Sequence, residues 1–361
     1  MNITQESTGD FTATVKIELV KEDYEDQVNT VLKDYQRKAS MPGFRPGKVP
    51  MGMVRKMYGK AVLAEEINKI ISENLNNYLT ENEVKTLGHP LPNEDRQEMI
   101  DFDTQDTFDF FFDLGLQPEV ITEISDKVKV DYYKIKVNED SVNKYMEDLR
   151  MKNGKPVEGK EDEEGKPKIE PAELNEEFYA AVFPGVEIKD EAEFKEKLAE
   201  QLEISFANES DRLFMRHTAD KLVDDSGIQL PDEFMKRWLA ESGEAQIKAE
   251  DIDTHYDEYA RALKWQLVES KIVSDHEIQV SPDDVREQIM SYFQTPGEVD
   301  EETKKRLNDI ADSIMQNQEE AKRIYDQLLD TRMRDLLKST VKLQNKEVSY
   351  DDFIKLATET K

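Results

Sequence analysis

The sequence predicts an α+β N-terminal domain, in which helices pack on a small antiparallel sheet, followed by an elongated all-α C-terminal domain. Residues 11–19 and 108–116 alternate apolar and polar side chains, as half-buried strands do. From residue 172 onward, apolar side chains recur at the spacing of amphipathic helices. Hydrophobic residues make up 37% of the 361-residue chain and charged residues 36%, and this balance indicates a high ratio of surface to core.

The N-terminal domain is predicted to span residues 1–115. After the first strand, the spacing of apolar side chains over residues 24–35 predicts an amphipathic helix. Pro50 is well placed to begin a second helix, because its fixed φ suits the first turn. A longer helical pattern follows at residues 67–79. The strand at 108–116 then completes the small sheet.

A linking segment, residues 116–151, follows this domain. It contains an alternating strand pattern at 128–132 and a helix that Asn138 is suited to cap. The next segment, KNGKPVEGKEDEEGKPKIEP at residues 152–171, contains three Gly and three Pro but only two aliphatic side chains. Such a composition cannot bury a core, so a flexible linker is predicted there.

Residues 172–361 are predicted to form the helical domain. Its first long helix ends before Gly227, and Pro231 begins the next one. The sequence SPDDV, which starts at Ser281, combines a capping Ser, a Pro at the first helical position and two acids in the first turn. Ser349 is expected to cap a last short helix.

The composition excludes several classes of function. The chain has no cysteine, so it holds no disulfide framework, zinc-thiolate site or cysteine nucleophile. The four histidines are scattered without metal-ligand spacing, and the sequence contains no glycine-rich phosphate-binding motif, nucleophile elbow or zinc-protease motif. We therefore expect no catalytic, cofactor or metal site in this chain.

Charge and hydropathy restrict the cellular location and the binding partners that we expect for this protein. The N-terminus has no signal-peptide pattern, and no stretch approaches the roughly 18 apolar residues that a membrane span needs. We therefore expect a cytoplasmic protein with no membrane partner. The net charge of −31 favours solubility and disfavours general nucleic-acid binding.

One segment departs from this acidic character. MPGFRPGKVP, Met41 to Pro50, contains Arg45 and Lys48 and no acid. The wider stretch from Tyr35 to Ala64 also lacks Asp and Glu, and its seven basic residues are Arg37, Lys38, Arg45, Lys48, Arg55, Lys56 and Lys60. Two Pro-Gly pairs force turns on either side of Phe44 and Arg45, which places these two residues at a loop tip between two helices.

Two interpretations of this tip stay open on the residues alone. In the first, Phe44 folds back onto its own domain and the basic residues form a solvated face. In the second, the tip docks on a partner. The ring of Phe44 then fills a pocket, Arg45 makes bidentate hydrogen bonds, and the lysines steer the domain towards a polyanion.

The segment PGFRPGKVP resembles the G-F-R-x-G-K-x-P signature of the trigger factor family, the bacterial ribosome-associated chaperones. VRKMYG at residues 54–59 is similar to the continuation of this signature, and EPAELNEEFYAAVFPGV at 170–186 is similar to the family's entry into its helical region. The resemblance covers nearly the whole chain. It implies a ribosome-binding docking domain over residues 1–115 and a client-binding chaperone domain over residues 172–361.

In this family the signature loop docks beside the nascent-chain exit tunnel, against a ribosomal protein and rRNA. The implied ribosome-binding positions here are Gly43, Phe44, Arg45, Gly47 and Lys48. Pro46 lies in the same tip, where family members often carry Lys, so this tip has one cation fewer and a weaker affinity is implied. The supporting basic patch comprises Arg37, Lys38, Arg55, Lys56 and Lys60.

The family usually inserts an FKBP-like prolyl isomerase domain where this chain has residues 152–171. About twenty residues cannot form such a domain, because so small a core does not offset the chain entropy. The resemblance therefore implies an ATP-independent chaperone that docks at the exit tunnel and holds nascent or unfolded chains. We expect it to have no enzyme activity.

Two alternatives stay open. One is a peptidyl-prolyl isomerase, the activity with which the family is usually labelled, although that activity needs an aromatic-lined pocket. The other is a soluble helical adaptor or holdase that does not bind ribosomes. A weak homodimer is also left open, and no cofactor is expected. Side chains that contact clients are predicted at Met235, Trp238, Met290, Phe293 and Met315.

Overall fold

The chain divides into two compact units. The first unit contains residues 1–120 and 227–266, and the second contains residues 121–226 and 267–361. The computed structural model of the protein describes residues 1–40, 42, 44–45, 47–96, 100–101, 105–161, 167–243, 248–293 and 301–359.

The structure confirms the predicted α+β region followed by a mostly helical region. The helices are α1 (Lys21–Lys38), α2 (Met51–Glu81), α3 (Glu139–Lys152), α4 (Glu176–Val182), α5 (Glu191–Ser226), α6 (Asp232–Ser242), α7 (Ile252–Asp275), α8 (Pro282–Phe293), α9 (Glu301–Gln316), α10 (Gln318–Thr340) and α11 (Tyr350–Glu359). The strands are β1 (Asn2–Gly9), β2 (Thr12–Leu19), β3 (Thr86–Pro92), β4 (Phe108–Leu116), β5 (Lys129–Ile135), β6 (Lys155–Glu161), β7 (Pro167–Glu170) and β8 (Lys342–Val348).

A four-stranded antiparallel sheet forms the centre of the first unit, with strand order β1-β2-β4-β3. The two strands predicted from alternation, β2 and β4, are its central pair, and their register is continuous. One face of this pair packs on α2, because every second side chain points to the same side. Members of the resulting core include Val15, Ile17, Leu19, Ile67, Ile70, Ile71, Leu75, Phe108, Phe110 and Leu114.

The two edge strands, β1 and β3, are not apparent from the sequence. All but one of the side chains of β1 are exposed, so it has no apolar alternation to mark it. β3 contains Gly88 and two prolines, which usually argue against a strand. Proline is tolerated here because β3 lies at the sheet edge.

Helix α6 packs against β3 and β4 in the first unit. The sequence groups this helix with the helical domain, but its aromatic side chains reach the sheet at two glycines. A Cβ added at Gly88 would collide with Trp238, and one added at Gly115 would collide with Phe234. The indole Nε1 of Trp238 also donates a hydrogen bond of 3.0 Å to Nδ1 of His89. The two glycines thus make room for the helix.

The second unit contains a parallel strand pair, β5 and β8. β8 interrupts the predicted succession of helices, and its polar sequence KLQNKEV gives no apolar period from which a strand could be predicted. Helix α5 packs on β5 and ends at Ser226, as the sequence predicts. The following residue, Gly227, has φ +62°, the left-handed conformation with which many helices end.

Residues 152–171, where the sequence predicts a linker without secondary structure, contain β6 and β7 as an antiparallel pair. Backbone hydrogen bonds do not depend on side-chain polarity, so a polar segment can pair when a turn reverses its direction. Gly154 permits the close approach of the two ends, because an added Cβ would collide with Glu170 and Ile169.

Candidate docking site

The loop between α1 and α2 is closed at its base by backbone and side-chain hydrogen bonds. The N–H of Ala39 donates to the carbonyl of Tyr35 at 2.8 Å, which ends α1, and the N–H of Gly47 donates back to the carbonyl of Ala39 at 3.0 Å. The side-chain amide of Gln36 donates to the carbonyl of Val49 at 2.7 Å. Both ends of the loop are therefore tied to the last turns of α1.

A small apolar cluster anchors the same base. Val49 is 1% exposed and packs with Leu32 of α1 and with Val54 and Val62 of α2. Pro50 precedes the first residue of α2, as the sequence predicts. Val49 points into this cluster, and Lys48, the residue before it, is exposed to solvent.

Gly47 makes the turn at the tip possible. Its φ is +76°, a conformation that residues with a Cβ rarely adopt. A Cβ at this position would also lie 3.0 Å from the carbonyl oxygen of Arg37. The N–H of Lys48 donates to the carbonyl of Arg45 at 2.9 Å, which closes the turn.

The side chain of Phe44 is 39% exposed. Arg45 and Lys48 are exposed as well, so the structure presents an aromatic ring and two cations together on the loop. This arrangement differs from the interpretation in which Phe44 folds back into its own domain. Gly43 and Pro46, the other two predicted tip positions, lie outside the described residues.

Cations surround the tip. Arg37 forms an ion pair with Asp34 at 3.0 Å, and Arg55 donates a hydrogen bond of 2.5 Å to Oδ1 of Asn29. Within the described ranges, no ion pair involves Lys38, Arg45, Lys48 or Lys56. The first turn of α2 contains no acid, so the positive end of its helix dipole adds to the field of these cations.

Sequence reasoning missed an apolar strip on α2. The helical spacing places Met53, Val54 and Met57 on one face of α2, and of these three side chains Val54 alone is buried. Met53 and Met57, one turn apart, are 41% and 54% exposed. The i, i+4 spacing was the available signal, but spacing alone does not show which side of a helix is covered.

The predicted client-contacting residues are dispersed. Met235 and Trp238 of α6 are buried, at 1% and 7% exposure, so neither is available to a client and these two predictions need correction. Met290 and Met315 are half-buried beside the core of α8, α9 and α10. Phe293, at the end of α8, is 48% exposed.

The arrangement at the loop suits non-covalent docking. An exposed ring can fill an apolar pocket, and a guanidinium beside it can bind carboxylate or phosphate oxygens with two hydrogen bonds. Among the residues that the structure describes, no group of three or more His, Asp or Glu side chains is arranged to hold a metal ion. No helix in those ranges is long and apolar enough to cross a membrane.

Two family models match the chain. The one described as bacterial trigger factor protein matches residues 1–149, which include the loop and the sheet. The one described as probable trigger factor, C-terminal domain, matches residues 210–357. Residues 150–209 lie between the two matched ranges.

Individual proteins similar to this chain are also trigger factors. A trigger factor of Agrobacterium fabrum is 31% identical over 155 residues, which are 40% of this chain and 32% of that protein. A trigger factor of Aliivibrio fischeri is 26% identical over 301 residues, or 75% of this chain and 67% of that protein. The chain thus spans about a third of the length of the first of these relatives.

A solved structure of a trigger factor chaperone, described in terms of promiscuous substrate recognition in folding and assembly activities, has a similar fold. Its TM-score is 0.53, its sequence identity is 15%, and the match covers 93% of this chain and 99% of that one. At this identity the similarity concerns the fold alone.

Proposed function

The chain belongs to the trigger factor family, and from that premise we propose that it is an ATP-independent chaperone of the cytoplasm. It docks at the ribosome beside the nascent-chain exit, against a ribosomal protein and rRNA, and it holds nascent or unfolded polypeptides. Residues 1–115 form the docking domain, residues 116–151 link it to the rest, and residues 172–361 form the client-binding domain.

The observation that carries this proposal is the exposed pair Phe44 and Arg45 on an anchored loop. An apolar ring on the surface is stabilised when a partner covers it, and burial of a Phe contributes about 1.5–3 kcal/mol. A net charge of −31 repels rRNA from most of the surface. The acid-free stretch around the loop is where phosphates are attracted, so charge orients the docking.

Client binding is proposed for the exposed apolar side chains of α8, α9 and α10. Phe293 and its neighbour Tyr292 are about half exposed, and Ile310 and Tyr325 are more than a third exposed. Separate apolar side chains surrounded by charge bind unfolded chains weakly and with little sequence preference. Met290 and Met315 support this surface, because a thioether adapts its shape to different partners.

We propose no enzyme activity for this chain. An isomerase of the FKBP type needs an enclosed aromatic pocket, whereas the described part of residues 152–171 forms a short strand pair. The docking and holding functions need neither a cofactor nor a metal.

The docking proposal is tested by the double substitution Phe44→Ala with Arg45→Ala and co-sedimentation with purified empty ribosomes. The ring and a charged hydrogen bond each contribute about 1.5–3 kcal/mol. The dissociation constant should therefore rise by roughly two to four decades. The matched control is Tyr325→Ala with Arg323→Ala on α10, since Tyr325 is also 39% exposed.

The control variant should bind empty ribosomes like the parent chain. Thermal unfolding of the double variant should be nearly unchanged, because the tip contributes little to the core. If the variant binds ribosomes normally, the tip is not the docking element. If it melts early instead, Phe44 belongs to the core of its domain.

A further inference from the structure

Strand β8 has one edge that no described strand covers. In a parallel pair, alternate residues of a strand direct both backbone groups to the partner strand. The N–H of Lys342 donates to the carbonyl of Val128, and the carbonyl of Val348 accepts from the N–H of Lys136. The residues of β8 that bond to β5 are therefore Lys342, Gln344, Lys346 and Val348.

The intervening residues, Leu343, Asn345 and Glu347, direct their N–H and carbonyl groups away from β5. No described residue bonds to these groups through its backbone. Among the strands of the described residues, β8 pairs with β5 alone, and five of its seven side chains are exposed. The outer edge thus presents three donors and three acceptors at the spacing of a strand, the arrangement to which another strand can add.

A cleft of about 760 Å³ lies beside this strand pair. Its apolar lining comes from Phe206 and Ala207 of α5 and from Ile135 and Val137, while Lys134 and Glu347 lie on the sheet side. Lys134 and Glu347 are register partners, so their side chains share one face of the sheet. A strand added to β8 would place every second side chain on this same face, beside Glu347, the residue of β8 that lines the cleft.

We propose that the free edge of β8 binds an extended segment of an unfolded polypeptide by strand addition, with alternate side chains of that segment on the face that carries Glu347. This inference rests on the proposed holding function. It adds a second way to bind a client, through backbone hydrogen bonds, to the contacts with exposed apolar side chains. Main-chain hydrogen bonds provide affinity without sequence selection, because every client residue possesses the same backbone groups.

An unfolded chain fits this edge better than a second copy of the protein. Two copies that each carry a net charge of −31 repel one another. A contact with only three outward residues on each side is also far smaller than the interface of a stable dimer. An unfolded client has unpaired backbone groups along its whole length, and a weak contact suits a client that must be released.

The test is amide hydrogen exchange followed residue by residue by NMR. The client is reduced, carboxymethylated α-lactalbumin, which cannot regain its fold. In the free protein, the amides of Leu343, Asn345 and Glu347 should exchange faster than those of Gln344, Lys346 and Val348. The client should slow the three outward amides by about tenfold or more at saturation, and the inward amides serve as the internal reference.

A substitution tests the same edge in a second way. Asn345→Pro removes one outward donor, and proline is tolerated on edge strands. The affinity for the same client, measured by fluorescence anisotropy, should fall about three- to tenfold. Gln344→Ala keeps all backbone groups and should bind like the parent chain. Thermal unfolding shows whether the Asn345→Pro variant is folded. The hydrogen-exchange test uses the parent chain and does not depend on this variant.

The outcomes separate this inference from the proposed function. If the client binds while the three outward amides keep their fast exchange, strand addition is wrong and the holding function stands. If the client does not bind at all, both are wrong. If these amides become protected without client as the protein concentration rises, the edge pairs with a second copy, which overturns the assignment to clients.

Discussion

Gly47 shows how one residue sets the shape of the docking tip. Its φ of +76° would cost a residue with a Cβ about 1–2 kcal/mol. The added Cβ would also lie 3.0 Å from the carbonyl oxygen of Arg37. Phe44 and Arg45 depend on this turn for their position, although neither contributes to the core.

We therefore predict that Gly47→Ala weakens ribosome binding. The loop can relieve the strain only by rearranging, and the affinity in co-sedimentation should fall by up to about tenfold. Gly52→Ala is the matched control, because a Cβ there meets nothing within 4 Å and alanine favours the helix by roughly 0.5–1 kcal/mol. Gly52→Ala should bind ribosomes normally and melt slightly higher. Equal binding by both variants would contradict the role assigned to the turn.

At the scale of the element, the start of α8 illustrates a local signal that the structure follows. Oγ of Ser281 accepts a hydrogen bond of 3.2 Å from the N–H of Asp284, and the N–H of Ser281 donates to Oδ2 of Asp284 at 2.6 Å. Arg332 of α10 adds an ion pair with Asp284 at 2.7 Å. The sequence predicts the capping Ser and the acids of the first turn, but neither the return hydrogen bond to Asp284 nor the arginine, which comes from a distant helix.

The cap predicts a pH dependence. The backbone hydrogen bond from Ser281, and then the guanidinium of Arg332, lower the pKa of Asp284 from 3.8 to about 2. A group whose pKa is lower in the folded state stabilises the fold above its unfolded pKa and loses that contribution as the pH falls. Asp284→Asn should therefore lower the melting temperature at pH 7, and its difference from the parent chain should shrink between about pH 4 and pH 2.

Asp283→Asn is the control that distinguishes the contribution of the cap and of Arg332 to stability from that of the helix dipole. Asp283 lies in the same first turn and forms no ion pair with any described residue. Its substitution should change the melting temperature less at pH 7. If both variants respond alike to pH, as measured by circular dichroism during heating, the cap and the arginine do not account for the stability of this helix start.

For the whole molecule, holding a client and isomerising proline require different surfaces. Separate apolar patches on a soluble frame are enough to hold an unfolded chain, whereas isomerisation needs one enclosed pocket. We predict that equimolar protein suppresses the aggregation of a denatured client, measured by light scattering. In a prolyl-peptide assay, isomerisation should keep its uncatalysed time of tens to hundreds of seconds.

Replacement of residues 152–171 by a Gly/Ser linker of equal length is the matching control. Within the part of the chain that the structure describes, strands β6 and β7 pair only with each other, so suppression should persist. Loss of suppression would show that this segment contacts clients. Catalysed isomerisation by the parent chain would contradict the proposal that it has no enzyme activity.

The sequence by itself determined the features that depend on local chemistry. Alternation located β2 and β4, because side chains of a half-buried strand must point alternately to core and solvent. Caps located the end of α5 and the start of α8, because unpaired backbone groups at helix ends require particular residues. The GFRPGK segment, with its turns and its acid-free surroundings, located the candidate docking site.

Only the tertiary structure decided which apolar faces are covered. Trp238 and Met57 both lie on amphipathic helices, yet Trp238 is buried against the sheet and Met57 is exposed. Periodicity gives the direction of a side chain on its helix, but a partner element distant in sequence determines whether that side is covered. The polar strand β8 likewise could not be predicted from the sequence, because its pairing with β5 uses backbone groups that every residue possesses.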